Sequence, residues 1–376
     1  MGVRPVASDA PGRQNEGMKV IVVGVGGIGS ATCYHLAKLG ADVVGLEQFS
    51  IAHDQGSSHG ETRLIRQAYF EHPNYVPLLL RAYTLWDELA DAVSLPLIDR
   101  RGVAIFGEPD SGVLRGVRES SQRYSVKTQE FSGKESRFSP LGFSAGEGIF
   151  EPTGGFLQVE ACVASHVRMA RKFGAEIHES VRLLDWSIDG AGGVTLNTSK
   201  GEFRGDALVL TTGAWLPGLS ELPLTIHRNY LYWFRAPETY ETIPCFAYDL
   251  KEGFFYGFPR LEGMVKVACH RPGEKIDTPT KIPHDYRDLS EVKQFVECYL
   301  PGLSAEPVKT AQCFYTMSPD EHFIVDKRSD GPVWFGGGFS GHGFKFSSVM
   351  GENIAKWVIE NQCPAEMKFL GADRLI

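Results

Sequence analysis

The chain has 376 residues, of which 43% are apolar and 22% charged, and it carries a formal net charge of -8. This length exceeds what one hydrophobic core usually organises, so we expect two domains or one domain with a large insertion. The acidic balance without basic runs argues against nucleic acid and anionic membranes as partners. The seven cysteines are scattered singly without C-x-x-C spacing. This pattern argues against a disulfide framework or a metal site and favours a reducing, cytoplasmic location.

The first 17 residues, MGVRPVASDAPGRQNEG, contain no apolar segment of the kind that a secretory signal needs. We therefore predict a disordered tail over residues 1–17. No stretch of the sequence approaches the roughly 18 consecutive apolar residues of a membrane span, so no membrane association is expected.

A strand, a glycine-rich turn and a helix follow this tail. Residues 19–23 form a β-branched apolar run, which predicts a strand buried on both faces. The helical pattern after the turn stops at Gly40, a residue type that often ends helices. The glycines of the turn have G-x-G-x-x-G spacing, which lets the backbone approach a pyrophosphate at the helix N-terminus. They are Gly24, Gly26 and Gly29.

A second predicted strand, residues 43–46, ends at Glu47. This acid follows the first glycine at about the separation at which a carboxylate meets a ribose hydroxyl. A strand, a helix and an acidic residue in this order and at this spacing therefore predict a dinucleotide site. The glycine fingerprint by itself does not separate NAD from FAD.

The segment after the second strand, HDQGSSHGETRLIRQAYFEHPNY, contains His59, Arg63 and Arg66. A plain NAD domain would normally enter another crossover helix here. From the residues alone, the two arginines fit a site role, a solvated face, or an ion pair with Glu61 or Glu71.

The middle of the chain alternates helical and strand patterns. Residues 74–92 and 159–172 show helical periodicity, whereas residues 98–150 are turn-rich with short strands such as GVAIFG. The apolar run ALVLTTGAW at 207–215 predicts a strand that returns to the first sheet beneath the dinucleotide. Residues 221–312 alternate apolar and polar side chains, as antiparallel, half-buried strands do.

Near the carboxyl end, VWFGGGFSGHGFKFSSVMGENIAKWVIEN predicts a strand, a second glycine-rich turn and a helix. Free N–H groups and the helix dipole favour negative charge at such a turn. Two cofactor elements at opposite ends of the chain suit the length of FAD, whereas NAD needs only the first. The turn contains Gly341, His342, Gly343 and Lys345.

Cys313 lies in AQCFYTMSPDEHF, between aromatic residues and an acidic turn. Read from its neighbours, it is either a half-buried strand cysteine, the usual fate of a free thiol, or a covalent attachment point for a cofactor.

Five motifs make the chain, from Met18 to about Val358, resemble the monomeric sarcosine oxidase and N-methyltryptophan oxidase group of D-amino-acid-oxidase-like flavoproteins. They are HGETRLIR, YGFP, VKVACH, CFYTMSPDEHFIVD and GFSGHGFKFSS. In that family the cysteine of the C-x-Y-T context bonds covalently to the flavin of FAD. The resemblance therefore implies that Cys313 carries the FAD.

The resemblance also implies roles for two pairs of residues. Arg66 and Lys345 match the pair that holds the substrate carboxylate. Lys266 matches the lysine that activates oxygen, and His270 matches an active-site histidine. Because Lys266 and His270 are four positions apart, an even number, a regular strand would point both to the same side.

The remaining implied site residues are aromatic or lie near the flavin ring. Tyr256 and Tyr315 match residues of the substrate pocket, His59 and Arg63 match groups on the opposite flavin face, and His342 lies in the turn beside the ring. Four of the implied site residues have a structural alternative: His270 as a strand-end histidine, the two tyrosines as core aromatics, and Lys345 as a surface lysine at a helix start.

The combined interpretation is a mixed α/β and α+β fold, in which a Rossmann-like FAD-binding domain is interleaved with an antiparallel-sheet substrate domain. We assign residues 18–95, 150–220 and 313–376 to the first and residues 96–149 and 221–312 to the second.

The predicted activity is oxidation of a secondary amine, an N-methyl or cyclic amino acid, to an imine, with O2 reduced to H2O2 by a monomeric enzyme. Ala247 stands where we expect a bulkier residue, which favours a substrate larger than sarcosine. The alternatives are an amino acid dehydrogenase of the same fold, or an oxidase of pipecolate, N-methyltryptophan or glycated amino acids.

Overall fold

The computed structural model describes residues 17–132, 138–143, 146–190, 192–283 and 285–375. The predicted tail, apart from Gly17, lies outside the described residues. The α-helices of the described chain are α1 Gly27–Lys38, α2 Tyr75–Val93, α3 Gly112–Tyr124, α4 Val159–Lys172, α5 Leu289–Tyr299 and α6 Ser347–Glu360.

The strands of the described chain fall into four sheets. They are β1 Lys19–Val23, β2 Asp42–Leu46, β3 Thr62–Ile65, β4 Ile98–Asp99, β5 Val103–Gly107, β6 Gln129–Ser132, β7 Glu147–Glu151, β8 Gly155–Gln158, β9 Glu176–His178, β10 Leu183–Ile188, β11 Val194–Thr198, β12 Gly201–Gly205, β13 Ala207–Leu210, β14 Thr225–Arg235, β15 Cys245–Leu250, β16 Gly253–Gly257, β17 Met264–Cys269, β18 Glu274–Ile276, β19 Lys309–Met317, β20 Ile324–Lys327 and β21 Val333–Gly337.

The first sheet has the strand order β20-β21-β13-β1-β2-β9 and is parallel except for β20. Its central strand, β1, is apolar throughout its buried part because both of its faces are covered. On one face α1 contacts α4 and α6. On the other face, β1, β2 and β13 share a core with the three-stranded sheet β10-β11-β12. The predicted return of the 207–215 segment to this sheet is observed as β13 beside β1.

The second large sheet is mainly antiparallel and has the order β18-β14-β17-β16-β15-β5-β7-β6, with β19 paired along β14. Helix α5 packs on it through Val292, Phe295 and Val296, in a core rich in aromatic residues. A third, small sheet has the order β3-β8-β4. Along the chain, its strands alternate with those of the two large sheets. The parallel and antiparallel sheets together confirm the predicted mixed fold.

Two parts of the sequence interpretation need correction. The segment 98–150 contains helix α3, which was not predicted, and α5 was also missed within 221–312. The boundary proposed at residue 313 falls inside β19, which pairs with β14 from Lys309 to Met317 and therefore belongs to the antiparallel sheet. The other domain boundaries remain predictions.

Candidate active site

The glycine-rich turn between β1 and α1 is tightly packed on one side and open on the other. Gly24 has a φ of +85°, and a Cβ there would lie 2.7 Å from the carbonyl oxygen of Thr211. A Cβ on Gly29 would lie 1.8 Å from the carbonyl oxygen of Gly24, so α1 can approach the turn only with glycine. A Cβ on Gly26 would meet nothing closer than Ser58 Oγ at 3.7 Å. The turn therefore leaves room for a ligand beside Gly26.

Glu47, at the end of β2, stabilises this turn. Its buried carboxylate accepts hydrogen bonds from the backbone N–H groups of Val25, at 2.9 Å, and Phe49, at 3.0 Å. His53 Nε2 lies 3.3 Å from Glu47 Oε1. Glu47 thus has the predicted position beside the glycines. The contact with His53 was not predicted, because nothing in the sequence pairs these two residues.

One elongated cavity of about 420 Å³ runs from the glycine turn to the antiparallel sheet. Most predicted site residues line it, whereas Gly29, His59 and Lys266 do not. The predicted residues that it brings together are Gly24, Gly26, Glu47, Arg63, Arg66, Tyr256, His270, Cys313, Tyr315, Gly341, His342, Gly343 and Lys345.

Arg66 is a buried cation beside this cavity. Its guanidinium donates to Glu71 at 2.8 Å and lies over the rings of Tyr69 and Phe70, at 4.4 and 4.2 Å from their centroids. The ion pair with Glu71, one of the alternatives left open by the sequence, is therefore present. Burial alone would raise the pKa of Glu71, but the neighbouring basic groups, Arg66 foremost, together outweigh this effect and the pKa falls to about 2. Glu71 is thus a carboxylate at neutral pH.

Lys345 is a second buried cation beside the cavity, which excludes the surface-lysine alternative. Its Nζ donates to the carbonyl oxygen of His342 at 2.8 Å. Burial lowers the pKa of Lys345 to about 7, although the Glu71 carboxylate partly opposes that shift. The lysine therefore changes charge close to neutral pH and has spare N–H groups to offer an anionic ligand.

The second glycine-rich turn carries a buried histidine network. His342 Nδ1 lies 2.5 Å from Tyr69 Oη, and its Nε2 lies 3.1 Å from the carbonyl oxygen of Glu321. A carbonyl can only accept, so Nε2 carries the proton and Nδ1 accepts from Tyr69. Burial lowers the pKa of His342 to about 3, which leaves the ring neutral. Gly341, with a φ of +79°, allows the turn to approach Tyr315, whose ring would lie 2.2 Å from a Cβ there.

His270, Tyr256 and Tyr315 form a polar and aromatic wall of the cavity. His270 Nδ1 lies 3.1 Å from Tyr315 Oη, and the His270 ring centroid is 6.4 Å from that of Tyr256. Burial lowers the pKa of His270 to about 4, so the imidazole is neutral at pH 7. Ala247 is opposite Tyr256 in the β15–β16 pair and also lines the cavity. This wall can hold a neutral amine without adding charge.

Lys266 is buried but does not line the cavity. Its Nζ donates to the carbonyl oxygens of Gly60 and Thr62, both at 2.7 Å, and lies 4.3 Å from the centroid of the Phe258 ring. Burial lowers its pKa well below the usual value for lysine. His59 also lies outside the cavity lining, and its buried Nε2 has no hydrogen-bond partner among the described residues.

Arg63 lines the cavity and is held by backbone acceptors. Its guanidinium donates to the carbonyl oxygens of Thr62, at 2.9 Å, and Ser57, at 2.8 Å.

Cys313 is a buried free thiol on β19, and it lines the cavity, as Tyr315 and Phe314 do. Burial raises the pKa of this thiol.

The donor set of the cavity fits FAD. The open side of Gly26 admits a pyrophosphate to the N-terminus of α1, and Glu47 is a carboxylate acceptor for a ribose hydroxyl. Thr212 Oγ1, a buried cavity-lining atom that was not predicted, has no hydrogen-bond partner among the described residues. An orphaned buried hydroxyl of this kind is explained by a bound polar ligand. The second glycine turn would contact the ring end of the cofactor.

A second cavity of about 380 Å³ adjoins the first. The residues that line both are Phe70, Glu71, Phe254, His270, Tyr315, Ser340 and His342.

Within the described ranges, no cluster of three or more His, Cys, Asp or Glu side chains could hold a metal ion. None of the helices described there is long and apolar enough to cross a membrane.

Three features together define a dinucleotide-dependent redox protein. They are a parallel sheet with a glycine turn, an acid on the next strand, and a cavity that continues to an antiparallel sheet. A family model described as FAD dependent oxidoreductase matches residues 19–357. The chain belongs to this family, and the resemblance seen in the sequence is confirmed.

Named relatives cover nearly the whole chain. Monomeric sarcosine oxidase of Streptomyces avermitilis is 37% identical over 356 residues, which cover 89% of this chain and 92% of that protein. N-methyl-L-tryptophan oxidase of Citrobacter koseri is 34% identical over 360 residues, which cover 92% and 95%.

Solved structures share the fold. NikD, an unusual amino acid oxidase essential for nikkomycin biosynthesis, has a TM-score of 0.83 at 22% identity, with 95% of this chain and 98% of that chain covered. L-proline dehydrogenase from P. horikoshii has a TM-score of 0.84 at 20% identity, with 96% and 98% covered.

Proposed function

We propose that the protein is an FAD-dependent oxidase of secondary amino acids, whose substrate is an N-methyl or cyclic amino acid larger than sarcosine. One observation carries this proposal: Arg66 and Lys345 lie buried beside a cavity that also contains His270 and Tyr315 and continues to the glycine turn. This arrangement offers a carboxylate two cations and an amine a neutral polar wall. The names of the two oxidase relatives support the assignment.

Arg66 and Lys345 position the substrate by its carboxylate. Each charge-assisted hydrogen bond contributes about 1.5–3 kcal/mol, and the clamp fixes the orientation of the carbon that loses hydrogen. Neutral His270 and Tyr315 face the amine and do not repel or protonate it. A bound FAD would supply the two-electron acceptor for oxidation of the carbon next to the nitrogen. The resulting imine then hydrolyses in water, to formaldehyde and the demethylated amino acid in the case of an N-methyl substrate.

An anaerobic bleaching screen tests the amine-oxidation proposal. Purified yellow protein is mixed with sarcosine, N-methyl amino acids, pipecolate, proline and glycated amino acids, and flavin absorbance is followed. We expect secondary amino acids to bleach the flavin, and air to restore the colour with formation of H2O2. If no secondary amine bleaches it, the proposed reaction is excluded. Bleaching without rapid reoxidation in air would instead establish a dehydrogenase.

A dehydrogenase is the second candidate because Lys266, the proposed oxygen-activating residue, does not line the cavity and is less easily protonated than a free lysine. A neutral amine stabilises superoxide less than an ammonium group does. Oxidase activity therefore requires that Lys266 be charged when the cofactor is bound.

Lys266→Met is predicted to slow flavin reoxidation at least about tenfold while changing flavin reduction less. Stopped-flow measurement of the two half-reactions checks this. Lys309→Met is the matched control, because Lys309 lies 4.7 Å from the centroid of the Trp233 ring, which Lys266 also contacts, but is exposed. Equal slowing of both half-reactions by Lys266→Met would remove the assigned role.

A further inference from the structure

We propose that the second cavity binds the side chain of the substrate and selects for a large side chain that carries no negative charge. This inference rests on the proposed function, since it assumes an amino acid bound through its carboxylate. It adds a specificity site that the relatives' names do not define.

The second cavity lies beside the residues proposed to bind the substrate carboxylate. The rings of Phe70 and Phe254 line both cavities, with centroids 5.4 Å apart. Phe70 also lies under the Arg66 guanidinium, at 4.2 Å. An amino acid whose carboxylate contacts Arg66 therefore has the second cavity within reach of its α-carbon substituent. Sarcosine has no side chain and would leave this volume to water.

One side of the second cavity is apolar, beside the polar groups that it shares with the first cavity. Val113 of α3 and Met317 of β19 line only this cavity and continue the surface begun by the two phenylalanines. An apolar side-chain stem would displace water from these groups, which favours binding. Met317 is itself adaptable in shape and can accommodate several stems.

Most charged side chains of the second cavity have an ion-pair partner. Glu71, Asp320 and Arg271, which line the cavity, are each paired, and His270 and His342 are neutral. The pairs are Glu71 with Arg66 at 2.8 Å, Asp320 with Arg374 at 2.8 Å, and Arg271 with Glu291 at 2.5 Å.

Glu321 is different. This residue lines the second cavity, is exposed, and makes no ion pair within the described chain. Its backbone is fixed, because its carbonyl oxygen accepts from His342 Nε2 at 3.1 Å and its φ is +62°. Glu321 therefore brings an acidic side chain without an ion-pair partner to the solvent-exposed edge of the cavity. It repels a side-chain carboxylate and tolerates an amide, an aromatic ring or a cation there.

Substrate series on the wild-type enzyme test the inference directly. We expect kcat/KM for N-methyl-L-glutamine to exceed that for sarcosine by about tenfold or more, the effect of filling an apolar pocket. We expect it to exceed that for isosteric N-methyl-L-glutamate by about fivefold, the effect of one exposed like-charge contact. Equal or better use of sarcosine, or equal use of the two isosteres, would overturn the inference while leaving the oxidase assignment intact. Failure of every secondary amine would instead reject the proposed function.

Two variants locate the effect. Val113→Trp fills the second cavity and is expected to lower the glutamine-to-sarcosine ratio of kcat/KM by about tenfold. Arg115→Trp, on the exposed face of the same helix, is expected to leave this ratio unchanged.

Glu321→Gln is expected to abolish the preference for the amide over the carboxylate, whereas Glu202→Gln, on the β10-β11-β12 sheet, is expected to preserve it. Unchanged ratios in both folded cavity variants, verified by thermal melting, would place the side chain elsewhere.

Discussion

Lys345 is a lysine that titrates near neutral pH, because burial lowers its pKa to about 7. Below that pH it is a cation and binds a carboxylate, and above it the charge is lost while Arg66 remains. We therefore predict that the dissociation constant of acetate, a carboxylate without an amine, rises about tenfold between pH 6 and pH 9. Flavin absorbance changes on titration with acetate measure this.

The control for this prediction is Lys345→Met, which removes the titrating group. Its acetate affinity is expected to be weak and independent of pH over the same range. A variant that keeps the wild-type pH profile would show that a different group titrates.

At the residue scale, most residues that the sequence proposes for the site line one cavity, but their pairings could not be predicted. Arg66, Lys345, His270 and Cys313 could be assigned from motifs, and all of them line the cavity. The ion pair of Arg66 with Glu71 remained one of several alternatives, because loop geometry decides which acid a loop arginine meets. The depth of Lys266 could not be predicted either, since strand alternation gives the side of a residue but not its distance from a ligand.

At the element scale, the turn before α1 separates two roles of glycine. Gly29→Ala is predicted to lower the melting temperature of protein made under riboflavin shortage, because the new Cβ would lie 1.8 Å from a carbonyl oxygen. Gly26→Ala is predicted to leave that melting temperature close to wild type but to reduce the flavin content per chain, because its Cβ occupies space beside the turn that the protein leaves open. Thermal melting and the absorbance ratio at 450 and 280 nm measure both effects.

Equal losses of stability in the two variants would mean that both glycines serve only packing. Retention of full flavin content by Gly26→Ala would place the pyrophosphate away from this turn.

The elements that could be predicted are those with strong periodic patterns. Helices α2 and α4 agree with the prediction within a residue or two, because their apolar residues recur with a clear period. Strand β1 agrees because it is a continuous apolar run bounded by a glycine turn. Helix α3 was missed because it buries only Leu114, Val117, Ser120 and Ser121, a stripe with two serines in it. Helix α5 is short and buries three apolar residues, too few to distinguish it from the surrounding strands.

At the scale of the whole molecule, the cavity walls come from several distant segments, so retention of FAD does not depend on one bond. We propose a covalent link at Cys313, as the family resemblance implies. Cys313→Ala is then predicted to keep the flavin in native protein but to release it on acid precipitation, whereas wild-type precipitate stays yellow. Cys245→Ala, a buried cysteine that does not line the cavity, is the control and should behave as wild type. Yellow supernatant from wild type would disprove the link.

The order of strands in the parallel sheet has a consequence for synthesis of the protein on the ribosome. Strand β13 pairs on one side with β1, made early, and on the other with β21, made late. The outer edge of β13 therefore stays unpaired while the intervening polypeptide emerges, and a bare strand edge invites wrong pairing. The second glycine turn follows β21, so a nascent chain cannot enclose the flavin until translation has passed that turn. Complete enclosure of the flavin therefore belongs to the last stage of synthesis.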